Sequence, residues 1–297
     1  MLAGVVFKGV ERYLKDYVNS INEQTDKAFD VLIVNDGLDG EAFSRFDDFN
    51  SILLEEKFTI AQIRQIVFDY AYNHNYTNLI FSDCDDYFSD NRVEYSKKYL
   101  QRYDFVFNEL SLIDESNTIL HEGFMSSLLK GNELNEIAIL IDKNVVGLGN
   151  CAVNLSTIER LTIPDDIKAV DWYLFSCLLL QNKTGRFVNQ CKTYYRQHGG
   201  NLVGMKRSLN IDQLKLGITV KEVHYGNMQK YCVENGHSEV LQTYENRLDA
   251  LKALKEELVD DEFMKNYIAA INQNYDAVFS GWWSDILTIK QFQSYAN

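Results

Sequence analysis

Apolar and polar positions in the first third of the chain switch between two periods. Leu2–Phe7 is a continuous apolar run of strand length, and residues 11–24 follow with Leu14, Tyr17, Val18 and Ile21 at helical spacing. A second apolar run at 30–34 is closed by Asn35-Asp36-Gly37, a turn signature. Residues 60–74 place Ile60, Ile63, Val67, Tyr70 and Ala71 on one helical face and lead into a third run at 79–81. Strand–helix–strand–helix–strand with short connections predicts a parallel, doubly wound α/β sheet.

The middle of the chain changes character. Residues 105–113 and 118–122 flank the polar turn Asp114-Glu115-Ser116-Asn117 and read as a hairpin. Strands are expected at 137–141, 150–155 and within 187–195, and a short helix at 171–180. From about Met205 the pattern is mainly helical, with amphipathic stretches at 209–235, 238–258 and 262–278. These shifts divide the chain into a mixed α/β domain at 1–204 and a helical C-terminal region at 205–297.

Composition narrows the partners. The 297 residues carry 43 Asp and Glu against 29 Lys and Arg, a formal net charge of −14. Nucleic acid and anionic membrane surfaces both select basic proteins, so neither is expected as the main partner beyond peripheral membrane contact. A phosphorylated substrate stays open, because a bound cation supplies positive charge locally. Five scattered cysteines without metal-type pairs read as reduced thiols of a cytosolic protein. No secretory signal pattern and no membrane-length apolar run is visible. The expected location is cytoplasmic, or peripheral at the inner face of a membrane.

The densest chemistry is Asp83-Cys84-Asp85-Asp86, at the end of the third apolar run. Carboxylates at the C-terminal end of a central strand sit where open α/β sheets bind ligands. Like charges this close repel unless water or a cation screens them, and hard cations commonly bridge a carboxylate to substrate phosphates. A calcium loop starting at Asp83 fails, since Phe88 stands where glycine is required and Tyr87 where a ligand belongs. A phosphatase of the haloacid-dehalogenase type is matched only locally, with no later Gly-Asp pair. A solvated acidic loop is the bland alternative.

Several ordered blocks carry a wider likeness. These are Glu11-Arg12-Tyr13-Leu14 with Ser20-Ile21 and Gln24-Thr25, the run Phe29-Asp30-Val31-Leu32-Ile33-Val34-Asn35-Asp36-Gly37, and Ala61-Gln62-Ile63-Arg64-Gln65. They continue with Ile80-Phe81-Ser82-Asp83-Cys84-Asp85-Asp86-Tyr87, the hairpin at 105–120, Val170-Asp171-Trp172, and Tyr195-Arg196-Gln197-His198-Gly199-Gly200-Asn201. In this order they resemble the family 2 inverting glycosyltransferases of the GT-A, nucleotide-diphospho-sugar fold, over roughly the first two-thirds of the chain.

The resemblance implies a mixed sheet with a Rossmann-like nucleotide half and an acceptor half. It implies a nucleotide-sugar donor, with UDP favoured, and a glycan or lipid-linked saccharide acceptor. Asp36 would accept a hydrogen bond from the base, although an Asx-turn is its bland reading. Asp83 would reach ribose or metal, and Asp85 or Asp86 would coordinate Mn²⁺ or Mg²⁺; the sequence does not separate those two. His198 would contact metal or diphosphate, and Arg64 and Arg196 would offer forked donors to phosphate. Asp171 would be the general base, against its bland reading as a helix N-cap. Trp172 would stack on an acceptor sugar or pack in the core.

Two departures stand out. Val170-Asp171 replaces the family's Glu-Asp pair, and Phe7-Lys8-Gly9-Val10 replaces its first-strand turn, so that Phe7 would supply the aromatic contact to the donor. A catalytically inactive GT-A-like nucleotide-binding or protein-interaction module is the rival from another class. A sugar nucleotidyltransferase is disfavoured by the lack of a Gly-rich N-terminal loop. The adjacent Trp282 and Trp283 read as core anchors first, and as a homodimer or lipid-linked-acceptor contact second.

Overall fold

The computed structural model describes residues 1–199 and 208–295. Contacts divide the chain into two compact units. The first comprises Met1–Asn135, Val146–Asp165 and Gln181–Asn201; the second comprises Glu136–Val145, Asp166–Leu180 and Leu202–Asn297. The boundary expected at 204, and Gly200-Asn201 at the end of the last block, lie outside the described residues.

The first unit is built on one mixed sheet. Its strands are β1 (Leu2–Phe7), β2 (Val31–Asp36), β3 (Asn50–Leu53), β4 (Asn78–Asp83), β5 (Tyr87–Phe88), β6 (Phe105–Ile113), β7 (Ile119–His121), β8 (Glu133–Leu134), β9 (Cys151–Asn154) and β10 (Gly185–Arg196). The order is β3-β2-β1-β4-β9-β6-β10-β5, with β7 on β6 and β8 on β10. From β3 through β4 all pairs are parallel, as the continuous apolar runs of β1, β2 and β4 predict for strands covered on both faces. Beyond β4 the sheet becomes mixed: β9 runs antiparallel to β4 and β6, whereas β6 and β10 are parallel. The helix Leu14–Asn22 docks through Tyr17, whose hydroxyl meets Ser82 Oγ at 2.7 Å. Gly4 makes room for it, since a Cβ there would lie 2.0 Å from the Tyr17 oxygen. The helix Ile60–Asn73 opens on a capping box formed by Thr59 and Gln62.

The order in which strands are laid down reverses at β1. The chain passes from β1 outward to β2 and β3, then returns to the other side of β1 as β4. The C-terminal ends of β1 and β4 therefore border the topological switch point, where doubly wound sheets open a ligand crevice. Phe7 pairs in register with Asp36, and Val5 with Asp83, which brings these ends to one edge.

The second unit is helical: Val170–Leu180, Ile211–Asn235, Ser238–Glu257 and Asp261–Gln273 are its longer elements. A capping box from Asn210 and Gln213 starts the longest helix, and Gly236 in the left-handed region (φ 74°) ends it. The strand expected at 137–141 is instead a 3₁₀ turn, Ile137–Leu140. A short apolar run carries no period that separates strand from helix. Here the Leu140 carbonyl accepts the Trp172 indole N–H at 2.6 Å rather than a ladder bond. Trp282 and Trp283 are buried, and the Asn144 backbone pairs with that of Trp282. Arg247 grips the Asp142 carboxylate with two bonds of 2.6 and 2.9 Å. Lys221 donates to the carbonyls of Asp142 and Ile286, and burial pushes its ammonium down to about 8. Among the described residues no helix is long and apolar enough to cross a membrane.

His224 lies wholly inside this unit, stacked on Trp172 with ring centroids 3.8 Å apart. Neither ring nitrogen has a hydrogen-bond partner among the described residues. Burial, with the charge of Lys221 adding to it, holds the imidazole well below its ordinary range. The folded state thus refuses a proton that the unfolded chain accepts below about pH 6.5, so stability falls as pH drops through that value. His224→Phe should keep the stack and remove that loss. Melting temperatures at pH 7.5 and 5.5 should converge in the variant relative to wild type, by the equivalent of about 1.4 kcal/mol.

Candidate functional site

Asp83 ends β4, and Cys84-Asp85-Asp86 turn the chain into β5, with the Asp86 N–H donating to the Asp83 carbonyl. Three carboxylates on one tight turn are tolerable because each faces a different partner. Asp83 Oδ1 takes Arg64 Nη2 at 2.8 Å, from the first turns of helix Ile60–Asn73. Asp85 Oδ2 meets His198 Nε2 at 2.9 Å. Asp86 turns inward, 2% exposed, and accepts the backbone N–H of Arg196 at 2.8 Å. Burial pushes the carboxyls of both Asp83 and Asp86 up. Arg64 opposes the rise at Asp83, while the charges of Asp85 and Asp83 reinforce it at Asp86. Asp85 and Asp86, equivalent in the sequence, thus differ in the fold: one faces an imidazole, the other a buried backbone amide.

Arg196 departs from the expected phosphate fork. Its guanidinium is 1% exposed, lies 4.5 Å above the Tyr13 ring and is paired with Asp16 at 3.1 Å. Its other donors reach the Asp85 carbonyl at 2.8 Å and Asn117 Oδ1 at 2.5 Å, with longer bonds to the carbonyls of Asp114 and Glu115. Burying a guanidinium is costly unless its donors are filled, and this one fills them by tying the acidic turn to the hairpin turn 114–117. It acts as a clamp.

The remaining predicted residues are placed as follows. Asp36 stands half-buried at the end of β2, beside Phe7, whose ring is 38% exposed. The turn after it is closed by Asn35, which bonds Leu38 through both N–H and C=O, so Asp36 is not the capping residue. Asp171 belongs to the second unit, and its helix begins one residue earlier, at Val170. It is therefore a first-turn residue whose carboxylate accepts the Trp172 N–H at 2.8 Å, and the bland alternative of an N-cap does not apply. Trp172 is fully buried between His224, Tyr225 and the Leu140 carbonyl, so the core reading applies and no ring face is open to a sugar.

Sequence reasoning missed Asp16, Tyr13, Asn117 and Arg92. Arg92 is fully buried and donates to the carbonyls of Phe81 and Gly149 at 2.5 and 2.9 Å. Nothing in a single sequence marks an arginine in a Tyr- and Lys-rich helix as a core residue. Among the described residues no three His, Cys, Asp or Glu side chains form a ready-made metal cage. The donors that do converge are Asp85 and His198, with Asp83 nearby and a third of its side chain open.

No family model matches the chain, and no curated protein matches it in sequence. Solved structures do. The crystal structure of S. aureus TarS 1-349 in complex with UDP-GlcNAc matches over 99% of this chain and 90% of its own, with a TM-score of 0.54 and 12% identity. The chain shares the fold of the glycosyltransferase TarS. The UDP complex of the same TarS fragment matches over 76% of this chain at a TM-score of 0.51 and 13% identity. This chain spans 65% of that fragment and 38% of the longer TarS chain.

The clamp can be tested against a ligand role. Removing one partner of a buried, fully bonded ion pair costs about 3–5 kcal/mol, whereas a solvent-facing phosphate ligand contributes little to folding. Arg196→Met should therefore lower the melting temperature of the ligand-free protein strongly. Arg12→Met, which breaks the exposed pair with Glu115 and lifts the guanidinium from the Tyr13 ring, should leave it within about 1 kcal/mol of wild type.

Proposed function

We propose that this protein is a glycosyltransferase that takes a sugar from a nucleotide-diphospho-sugar, UDP-linked, and delivers it with inversion to a hydroxyl of a glycan or lipid-linked saccharide. The observation that carries the reading is the gathering of Phe7, Asp36 and the Asp83–Asp86 turn on one edge of the sheet, at its switch point. The TarS fold adds support, because TarS itself is seen with UDP and with UDP-GlcNAc.

Each group has a part in this reading. Asp36 accepts from the uracil N3–H, its carboxylate spared from the turn by Asn35. Asp85 and His198 fit a Mn²⁺ or Mg²⁺ ion held only partly by protein, since one carboxylate and one imidazole leave most positions to diphosphate oxygens and water. Held there by Asp85 and His198, such an ion would supply positive charge to the departing diphosphate. Asp86, turned inward, holds the turn rather than the ion. The acceptor oxygen attacks the sugar C1, the C1–O bond to the diphosphate breaks, and Asp171 takes the hydroxyl proton.

Donor binding is tested by melting. UDP should raise the melting temperature strongly only with Mn²⁺ or Mg²⁺ present. Asp85→Asn should abolish this metal dependence, and Asp86→Asn, which keeps an oxygen for the Arg196 N–H, should retain it. Equal stabilisation by UDP in EDTA would count against the site.

The base is tested by separating binding from transfer. Asp171→Asn should leave UDP affinity unchanged and reduce transfer to a saccharide acceptor by ~10²–10⁴-fold, the usual contribution of a general base. Near-normal transfer would return Asp171 to a purely helical role and favour another carboxylate.

A further inference from the structure

The acidic turn is held from behind by two residues that neither the sequence blocks nor the proposed chemistry assigns. Gly149 lies in the 3₁₀ turn Leu148–Asn150 that leads into β9. A Cβ built on it would sit 2.3 Å from Asp83 Oδ2 and 3.1 Å from the carboxyl carbon. Real Cβ atoms are never found so close to a carboxylate. The atom struck is the end of a short side chain whose other oxygen is already fixed on Arg64 at 2.8 Å. The carboxylate thus occupies the space that a side chain at 149 would need, and only the missing side chain permits it.

Arg92 fixes the same two elements to each other. Its Nη2 bridges the carbonyl of Phe81, two residues before Asp83, and the carbonyl of Gly149 itself. The guanidinium is wholly buried over the Phe88 ring at 4.9 Å, with Nε and Nη1 unpartnered among the described residues. Among the described residues no carboxylate forms an ion pair with it. A positive charge kept in the core without an ion-pair partner is costly, and here it spans the two backbones that confine Asp83.

We infer that Gly149 and Arg92 are positioning residues for Asp83: together they set the distance between β4 and the turn at 149 and so aim the Asp83 carboxylate at the donor. This rests on the donor-site reading above. Any side chain at 149 has to push the carboxylate off its line, which breaks the Arg64 pair and misdirects Asp83. Misplacement on that scale costs up to ~10²-fold in function.

A double-mutant cycle tests it, with UDP plus MnCl₂ as the probe. Gly149→Ala should lower the melting temperature by several degrees and weaken UDP binding at least ~10-fold, to the level of Asp83→Ala. In the double variant Gly149→Ala/Asp83→Ala the clash is gone. Its melting temperature should match that of Asp83→Ala alone, and UDP affinity should fall no further. Additive effects on melting, or wild-type UDP affinity in Gly149→Ala, would overturn the inference. Non-additive melting with no UDP binding to the wild-type protein would support the Gly149–Asp83 contact and overturn the donor-site reading instead.

Discussion

Repulsion among Asp83, Asp85 and Asp86 is the constraint around which the first unit is arranged. At the dielectric typical near a protein surface, two unit charges 4 Å apart interact by about 4 kcal/mol. A turn carrying three carboxylates in four residues cannot fold on local preferences alone. Each is answered from a different place: Asp83 by a helix guanidinium, Asp85 by the imidazole after β10, and Asp86 by a backbone N–H at the end of β10. The answers come from helix Ile60–Asn73 and from β10 with the residues after it, so the native form of the turn depends on both. The order of the sheet is thereby coupled to the geometry of the site.

That coupling explains why the two arginines expected to bind phosphate, Arg64 and Arg196, have different fates. Arg64 sits near the start of a capped helix and reaches one carboxylate, with both groups partly open. An incoming phosphate would compete there on reasonable terms. Arg196 sits on the last residue of a twelve-residue strand, under Tyr13 and beside Tyr87. Its guanidinium is withdrawn from water while Asp16 keeps a third of its side chain open, and breaking this pair together with the bonds to the turns at 85 and 114–117 would cost more than a surface pair returns. The same residue type, in the same proposed role, is separated by burial.

Much of the first unit was legible in the sequence because parallel strands covered on both faces are continuous apolar runs. β1, β2 and β4 all show this signature, and the acidic cluster stood out against it. Edge elements left no such trace. β3 is mostly exposed, with the pattern Asn50-Ser51-Ile52-Leu53, and β5 and β8 are two residues each. The helix Arg92–Leu100 was hidden because its buried face includes Arg92 and Ser96 rather than an apolar stripe. At the site, the carboxylates were readable and their partners were not. His198 lies 113 positions from Asp85 and Asp16 lies 180 from Arg196, and such pairings exist only once the sheet is formed. Gly149 carries no sequence signal at all, since what matters there is an atom that is missing.

Asp171 shows how a core can serve a surface group within its own unit. The residue after it is among the most constrained in the protein, with the Trp172 indole bonded to Leu140, stacked on His224 and edge-on to Tyr225. Nearly every other residue of helix Val170–Leu180 is buried as well. Rotation of the helix about its axis is therefore blocked, and Asp171 is the one half-buried position on it. The helix N-terminus favours negative charge at such a position, and the bond from the Trp172 N–H holds one carboxylate oxygen. A general base needs a fixed direction more than it needs a special environment, because proton transfer requires hydrogen-bond contact with the attacking hydroxyl. For the base proposed above, the aromatic core would supply that direction. Trp172 thus supports the proposed chemistry by being inaccessible, as a support for its neighbour rather than as a surface for a sugar.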